Sequence, residues 1–338
     1  MILGWACLAA LCASYLMTAW LLRHSRIRGL VDRPNARSSH STPTPRGGGL
    51  SMVAVTSLGV LGLYASGTIA LPLAAALLLG GLSIAAVGFW DDVRSAPVGV
   101  RMAVHFGAAI WAVYCLGGTS VIRMGAVSAD LGIAGSILSV LTIVWTLNLF
   151  NFMDGIDGIA ASEAACILFG AAALGSFVAK SAPASVAPEL IAGAACLGFL
   201  RWNWPRARIF MGDIGSGYLG YVIAVIGIHS NQTSAINIYA WLILGGVFFV
   251  DATLTLCRRM LRRQRVYEAH RTHAYQWLAR RWGSHARVTV TVIGVNIAWL
   301  LPCAALAVEY PAYGAWICLI ALAPLAVGAF LSGSGRPE

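Results

Sequence analysis

Residues 132–158 read GIAGSILSVLTIVWTLNLFNFMDGIDG, an apolar run that ends in amide and acid side chains. The run is long enough to cross the roughly 30 Å apolar core of a bilayer, which takes about 20 helical residues. Similar runs recur along the 338 residues, of which 59% are hydrophobic and only 11% are charged. The composition therefore predicts an all-α polytopic integral membrane protein, with 1–338 forming a single transmembrane domain.

About eleven segments qualify as transmembrane helices. They are 2–22, 47–66, 71–90, 102–118, 132–150, 158–178, 187–201, 214–230, 236–257, 288–308 and 312–332. In the alternate loops that these spans define, all but two of the 23 arginines and lysines fall on one side, and only Arg123 and Lys180 fall on the other. Because cytoplasmic loops carry the excess of basic residues, the pattern predicts a periplasmic N-terminus and a cytoplasmic C-terminus.

The informative polar segments all fall on the predicted cytoplasmic side. They are 32–49 (DRPNARSSHSTPTPRGGG), 90–101 (WDDVRSAPVGVR), 148–158 (NLFNFMDGIDG), 209–217 (IFMGDIGSG) and 258–276. Acids that persist in a membrane protein usually mark a functional site, because they are costly to keep there. The cytoplasmic loops are therefore predicted to form one active-site groove.

The adjacent Asp91 and Asp92 end the third predicted span. Two neighbouring carboxylates repel each other unless a cation or a proton lies between them. The pair is interpreted as a magnesium or acid–base site. A solvated helix end neutralised by Arg94 is the alternative.

Amide and acid side chains recur every third residue at the end of the fifth span, at Asn148, Asn151, Asp154 and Asp157. This spacing places them along one helical face. Their oxygens are the hard ligands that Mg²⁺ prefers. A metal site is favoured over a simple polar helix cap.

A glycine-rich segment, Met211 to Gly217, begins the eighth span and contains Asp213. The free N–H groups at a helix N-terminus bind anions, and Asp213 is suited to a metal that bridges the same phosphates. Phe210 is either a ring on which a base stacks or an interfacial aromatic. The triple glycine 47–49, preceded by Arg46, suits either close approach to a ligand or tight helix packing.

Two histidines flank an arginine in HRTH, at His270, Arg271 and His273. No cysteine or acid nearby completes a four-ligand zinc set. Contact with a pyrophosphate or a sugar is favoured, since arginine presents a planar fork to phosphate oxygens. Asp251 is interpreted first as an ion-pair partner of Arg258 or Arg259, and only second as a site residue.

Five ordered motifs, PTPRGGG, DD, NFMDGIDG, FMGDIGS and HRTH, together resemble those of the polyprenyl-phosphate N-acetylhexosamine-1-phosphate transferases, over roughly 30–280. HSTPTPRGGG and YEAHRTHAYQ look closest to the O-antigen-initiating branch. The resemblance implies a bundle of ten or eleven helices with a cytoplasmic groove. It also implies Mg²⁺, or Mn²⁺ in its place, at Asp213 and Asn151.

The resemblance further implies which part of the substrates each remaining residue contacts. Phe210 would stack on uracil, Asp157 would bond its edge, and Asp154 would line the same pocket. Arg46 borders the site, Arg101 would contact phosphate, and His270, Arg271 and His273 would hold pyrophosphate or sugar. Asp91 or Asp92 would deprotonate the acceptor, position it, or tune the metal; a covalent aspartyl-phosphate route is a further alternative.

The reaction implied is transfer of a sugar 1-phosphate from a UDP-N-acetyl sugar to undecaprenyl phosphate in the bacterial inner membrane. Relatives that use the muramoyl pentapeptide carry lysines near the paired acids and a late triple histidine. This chain has Arg94 and HRTH instead, which favours a simpler sugar, although no motif selects which one. Membrane lipids are the other expected partners, nucleic acid is not expected, and the oligomeric state is open. An ion-coupled transporter is the alternative function, but its site would lie near the bilayer midplane.

Overall fold

The computed structural model describes residues 2–25, 31–32, 43–118, 121–124, 127–233, 235–264 and 270–336. About 80% of the chain is helical, which confirms the predicted class. The basic residues Arg26, Arg28, Arg33, Arg37 and Arg265, which entered the orientation argument, lie outside the described residues.

The helices follow one another with short connections. They are α1 (Ile2–Ser25), α2 (Gly49–Ala65), α3 (Leu71–Ala75), α4 (Gly81–Arg94), α5 (Val98–Cys115), α6 (Ile133–Met153), α7 (Ile159–Ala173), α8 (Ala187–Asn203), α9 (Asp213–Gln232), α10 (Ile238–Leu244), α11 (Gly246–Leu261), α12 (Ala274–Trp282), α13 (His285–Val295), α14 (Leu301–Glu309) and α15 (Gly314–Leu331). Wider π-helical turns, Ala76–Gly80 and Asn296–Leu300, join α3 to α4 and α13 to α14, and a third, Leu174–Val178, extends α7.

Eight helices in the described part of the chain are long and apolar enough to cross a membrane, and a ninth is added if a bent pair counts as one span. The bent pair corresponds to the predicted span 236–257. It is α10 and α11, which meet at Gly245 with a bend of 79°. The predicted span is thus present as two helices that meet at a break, and each of the other predicted spans overlaps a helix.

Short antiparallel strands add to the helices. β1 (Val31–Asp32) pairs with β2 (Thr44–Pro45), and β3 (Val121–Met124) pairs with β4 (Val127–Asp130). The first pair matters for the site, because it brings Asp32 beside the segment that leads into α2.

Helix α9 is deeply buried: every residue from Ile214 to Ile228 is enclosed by its neighbours. Glycines let its neighbours approach closely: a Cβ on Gly88 of α4 would lie 2.5 Å from the carbonyl oxygen of Asp213. Such small residues permit backbone contact between membrane helices. The start of α9 is consequently enclosed by the ends of α2, α4 and α6.

Candidate active site

The carboxylate of Asp92 binds the start of α9. Its Oδ1 accepts the Asp213 N–H at 3.0 Å, and its Oδ2 accepts the Ile214 N–H at 3.1 Å. The first N–H groups of a helix have no partner within the helix, and a negative charge is favoured there. Only 1% of the Asp92 side chain is exposed, so these contacts hold it inside the protein.

Asp91 faces a different set of partners. Its Oδ1 accepts the Ala96 N–H at 2.7 Å, and its Oδ2 accepts Arg101 Nη1 at 2.8 Å. The same Arg101 nitrogen lies 3.7 Å from Asp213 Oδ2. The side chain of Asp91 is 16% exposed and that of Asp213 is 31% exposed. These two acids, unlike Asp92, are open to a ligand.

Asn151 and Asp154 reach the same place from α6. The carboxyl of Asp213 is hydrogen-bonded by the side chains of Asp91 and Asn151, and Asn151 Nδ2 donates to Ser216 Oγ at 3.2 Å. Asp154 ends the helix and interacts electrostatically with Asp213, Asp92 and Arg46. Asn148, by contrast, donates to the Val144 carbonyl of its own helix. Of the four amide and acid side chains predicted to share one helical face, the middle two, Asn151 and Asp154, therefore reach the cluster.

Two acids of the cluster, Asp213 and Asp154, have raised pKa values. Loss of hydration raises the pKa of Asp213 to about 8. The hydrogen bond that protonated Asp213 donates to Asp91, and the charges of Asp92 and Asp91, act in the same direction. Burial, and then the charge of Asp213, raise the pKa of Asp154 well above its ordinary value. Arg46 opposes the second effect. A site that concentrates negative charge in this way favours a cationic ligand.

Arg46 and the triple glycine fasten α2 to the start of α9. Arg46 bridges Asp32 Oδ2 at 3.1 Å and Asp92 Oδ1 at 3.5 Å. The Gly48 N–H donates to the Phe210 carbonyl and the Gly49 N–H to the Met211 carbonyl, both at 2.9 Å. A Cβ on Gly49 would overlap the backbone of Gly215. Tight packing thus explains Gly48 and Gly49, while Gly47, with φ of +90°, makes the turn.

Phe210 belongs to the connection 204–212 between α8 and α9, and Asp157 contacts the same connection. The Phe210 N–H donates to the Pro45 carbonyl at 2.8 Å, which places this residue beside Arg46. Asp157 Oδ2 accepts the Ala207 N–H at 3.1 Å and lies 3.4 Å from His285 Nδ1. Its carbonyl accepts the Thr289 hydroxyl at 3.0 Å. Asp157 therefore holds the connection to α13.

The HRTH segment lies at the start of α12. His273 is 1% exposed and its ring faces inward, with Nδ1 3.6 Å from Asp251 Oδ1. His270 stacks on it at 4.9 Å between ring centroids, and the Arg271 carbonyl accepts Arg280 Nη1 at 3.0 Å. The segment meets the aspartate cluster through Tyr275, whose hydroxyl donates to the Phe152 carbonyl at 3.0 Å.

Sequence reasoning missed the importance of Asp251, Tyr275 and His285. Arg258, an expected partner of Asp251, donates instead to the Ser334 carbonyl. The available signal for Asp251 was an acid within an apolar span, which is expensive unless it has a dedicated partner. Nothing in the local sequence distinguishes Tyr275 from an interfacial aromatic.

Within the described residues, no group of three histidine, cysteine or acid side chains is arranged to hold a metal. The side chains of Asp213 and Asn151 are hydrogen-bonded to each other, and each carries an oxygen that could serve as a ligand. Mg²⁺ typically takes one or two carboxylates, keeps several waters, and completes its shell with substrate phosphates rather than with a protein cage. The donor set therefore fits magnesium bound together with a phosphorylated substrate.

Comparison with known proteins agrees with these motifs. The sequence model of "Glycosyl transferase family 4" matches residues 74–231. A probable undecaprenyl-phosphate N-acetylglucosaminyl 1-phosphate transferase of Bacillus subtilis is 32% identical over 275 residues, covering 78% of this chain and 74% of the relative. The decaprenyl-phosphate N-acetylglucosaminephosphotransferase of Mycobacterium tuberculosis is 30% identical over 310 residues, covering 78% and 72%.

A relative with a different named substrate is equally similar. The phospho-N-acetylmuramoyl-pentapeptide-transferase of Frankia alni is 33% identical over 297 residues, covering 73% of this chain and 79% of the relative. Identity at this level over most of both chains, together with the family match, establishes the kinship. The chain belongs to glycosyl transferase family 4, the polyprenyl-phosphate hexosamine-1-phosphate transferases.

Proposed function

We propose that the protein transfers an N-acetylhexosamine 1-phosphate from a UDP-sugar to undecaprenyl phosphate and releases UMP. The observation that carries this proposal is the convergence of Asp91, Asp213 and Asn151 with Arg46 and Arg101 at one end of an apolar helix bundle. Acids that hold a cation, beside arginines that bind phosphate, suit a pyrophosphate donor and a phosphate acceptor.

The site is proposed to face the cytoplasm of the bacterial inner membrane. The basic residues Arg46, Arg94, Arg101 and Arg208 lie in segments at the aspartate end of the bundle, whereas Lys180 follows the opposite end of α7. This distribution supports a cytoplasmic active site, since basic loops stay inside. The nucleotide sugar would then be taken from the cytoplasm, and the lipid acceptor from the membrane.

The proposed reaction forms one P–O bond and breaks one. A phosphate oxygen of the acceptor attacks the sugar-linked phosphorus, and the bond to the UMP oxygen breaks with its electron pair leaving on UMP. The acceptor phosphate is largely ionised near neutral pH, because its second pKa is about 6. Deprotonation by Asp91 is therefore less important than orientation, which Arg101, fixed at 2.8 Å from Asp91, is placed to provide.

Asp213 and Asn151 are proposed to hold Mg²⁺, with Mn²⁺ as a substitute. When bound, the ion neutralises charge on the pyrophosphate during phosphoryl transfer. Asp91 is proposed to orient the acceptor phosphate together with Arg101. Asp92, which is enclosed, is proposed to hold Asp213 in place by binding the start of α9. Phe210 and Asp154 are proposed to line the uridine pocket with Asp157, and Arg46, His270 and Arg271 to hold the phosphates and sugar. His273, which is 1% exposed, is proposed to support the HRTH segment from inside rather than to contact the substrate.

One observation favours the transporter alternative, namely the 79° bend between α10 and α11. Broken helices are common at transporter sites. However, the acids of the cluster lie at helix ends: Asp92 two residues before the end of α4, and Asp213 at the start of α9. A site at the rim rather than at the midplane favours the enzyme.

The test is release of UMP by the purified full-length protein from undecaprenyl phosphate and each of a panel of UDP-N-acetyl sugars. We expect Mg²⁺-dependent UMP with at least one sugar, and its loss in Asp213→Ala. Thr291→Val is a suitable control, because Thr291 is exposed and its hydroxyl donates to the Arg287 carbonyl of its own helix. If wild-type protein released no UMP with any sugar, the proposed function would be wrong. The productive sugar would also decide whether the O-antigen-initiating role, proposed from the resemblance, can hold.

A further inference from the structure

Asp251 is a buried acid to which the proposed reaction assigns no role. It lies in the second turn of α11 and is 4% exposed. Its Oδ1 accepts the Ala274 N–H at 2.8 Å, and its Oδ2 accepts the Tyr275 N–H at 3.0 Å. These are the first two N–H groups of α12, which have no partner inside that helix. Asp251 thus caps, from a different helix, the helix that carries the HRTH segment.

The Asp251 carboxylate has two further side-chain neighbours. The Thr255 hydroxyl donates to Asp251 Oδ1 at 3.1 Å, and His273 Nδ1 lies 3.6 Å from the same oxygen. With protein donors on both oxygens and almost no exposed surface, Asp251 has no room for a substrate or a metal. Its role must be exercised through the residues that it holds.

Those residues include the end of the HRTH segment. The His273 N–H donates to Gln276 Oε1 at 3.3 Å, and its ring stacks between His270 and Tyr275, at 4.9 and 5.8 Å. On the other side, the Gly335 N–H donates to the Thr272 carbonyl at 2.8 Å. The backbone of residues 272–275 is therefore held by bonds from α11 and from the chain after α15.

Tyr275 extends this arrangement to the aspartate cluster. Its side chain is 2% exposed, and its hydroxyl donates to the Phe152 carbonyl, one residue after Asn151. A Cβ on Gly155 would collide with that hydroxyl, which shows how closely Tyr275 packs against the turn that carries Asp154. A shift at the start of α12 would consequently move the backbone that presents Asn151 and Asp154.

We propose that Asp251 is a positioning residue that sets the HRTH segment and, through Tyr275, the turn after α6. The effect on catalysis rests on the proposed function, in which both regions contact the nucleotide sugar. Because Asp251 touches no reacting atom, its loss should weaken nucleotide-sugar binding more than it slows the chemical step.

The experiment compares Asp251→Asn with the wild-type protein as purified full chains. Asparagine keeps the shape and one acceptor oxygen, but its amide N–H₂ would face a helix N–H. We expect faster hydrogen–deuterium exchange at residues 270–276 and 150–156, and a KM for the UDP-sugar raised about tenfold, as for other residues that orient ligand-contacting groups. The kcat should change less.

Asn237→Ala is the matched control. Asn237 caps α10 through the Ala240 N–H at 3.0 Å and also bonds the Ala307 carbonyl at the other end of the bundle. Its loss should accelerate exchange only near residues 237–241 and leave the KM unchanged. If Asp251→Asn is too unstable to purify, Thr255→Val removes one donor to the same carboxylate and should give a smaller change of the same pattern.

Unchanged exchange at residues 270–276 in Asp251→Asn would overturn the proposal, and so would altered exchange with a wild-type KM. Exchange is measured without substrate. If the protein had no transferase activity at all, the proposed function would fail while exchange at 150–156 still decided whether Asp251 controls the turn.

Discussion

Two helices of this protein begin at a carboxylate supplied by another helix. At the start of α9, Asp92 of α4 accepts the N–H groups of Asp213 and Ile214. At the start of α12, Asp251 of α11 accepts the N–H groups of Ala274 and Tyr275. Both acids are nearly inaccessible to solvent, and both satisfy helix N–H groups that would otherwise be buried without a partner.

The surroundings of the two acids differ. Asp92 lies beside Asp91 and Asp213, with Arg46 3.5 Å away, so the residue that it fixes is itself a proposed metal ligand. Asp251 has Thr255 and His273 as further neighbours, and reaches the cluster through Tyr275. A carboxylate bound to a helix N-terminus thus fixes a proposed metal ligand in the case of Asp92. In the case of Asp251 it fixes a helix that packs against the site. Their losses should differ in size and in the kinetic constant affected.

Replacing Asp92 should have the largest effect. In Asp92→Ala the N–H groups of Asp213 and Ile214 lose their acceptor, which costs about 2 kcal/mol of stability, and Asp213 shifts. Displacement of a reacting group by about 1 Å can cost roughly a hundredfold in rate. We expect kcat for UMP release to fall about that much, and Asp92→Asn, which keeps one acceptor, to fall less.

Asp251→Asn provides the comparison, because it should raise KM with a smaller effect on kcat. If Asp92→Ala changed KM alone, or if both variants altered the same constant to the same degree, the contrast between the two anchors would be wrong.

Gly212 should be the next most sensitive position. Its φ is +77°, and an added Cβ would lie 2.5 Å from Asp92 Oδ2. Its ψ of 169° gives a backbone conformation that essentially only glycine adopts. Gly212→Ala should therefore strain the backbone, by roughly 1–3 kcal/mol, and displace the Asp92 carboxylate. We expect about a tenfold loss of kcat, in proportion to a partial shift of the group that Asp92 holds.

Gly283, which ends α12, separates these two effects. Its φ is +61°, and no atom of the described residues lies within 4 Å of an added Cβ. Gly283 has the left-handed α conformation, in which alanine costs about 1–2 kcal/mol. Gly283→Ala should therefore lower the thermal midpoint and leave UMP release unchanged. Equal activity losses in both glycine variants would show that backbone strain, rather than contact with Asp92, limits the enzyme.

The smallest expected effect is a dependence of stability on pH near Asp251. Burial, followed by the charges of His273 and Arg259, lowers the pKa of His270 to about 3, with Asp251 opposing. Between about 6.5, the ordinary value for histidine, and about 3, the unfolded chain binds a proton at this position that the folded protein does not. Stability therefore falls as the pH drops below about 6.5. Thermal midpoints measured in detergent at several pH values should fall less steeply in His270→Gln. An identical slope would exclude His270 as the source.

The helical architecture could be predicted because it depends on local composition. Long apolar runs such as 132–150 have to form helices in a bilayer, where backbone groups find no water to bond. The bend at Gly245 could not be predicted, because glycine is common in membrane helices and the local sequence does not say which one marks a break. The motifs containing Asp91, Asp154 and Asp213 predicted a common site, but not which acids would face a ligand.

By itself the sequence determined that this chain forms apolar helices, that its acids lie in polar segments between them, and, through its ordered motifs, to which family it belongs. Only the tertiary structure decided that Asp92 faces a helix N-terminus while the adjacent Asp91 faces Arg101, and that Asp251 supports the HRTH segment. The reason is physical. The contact between Asp92 and Asp213 joins residues 121 positions apart, and burial of a carboxylate depends on the helices packed around it rather than on its neighbours in the chain.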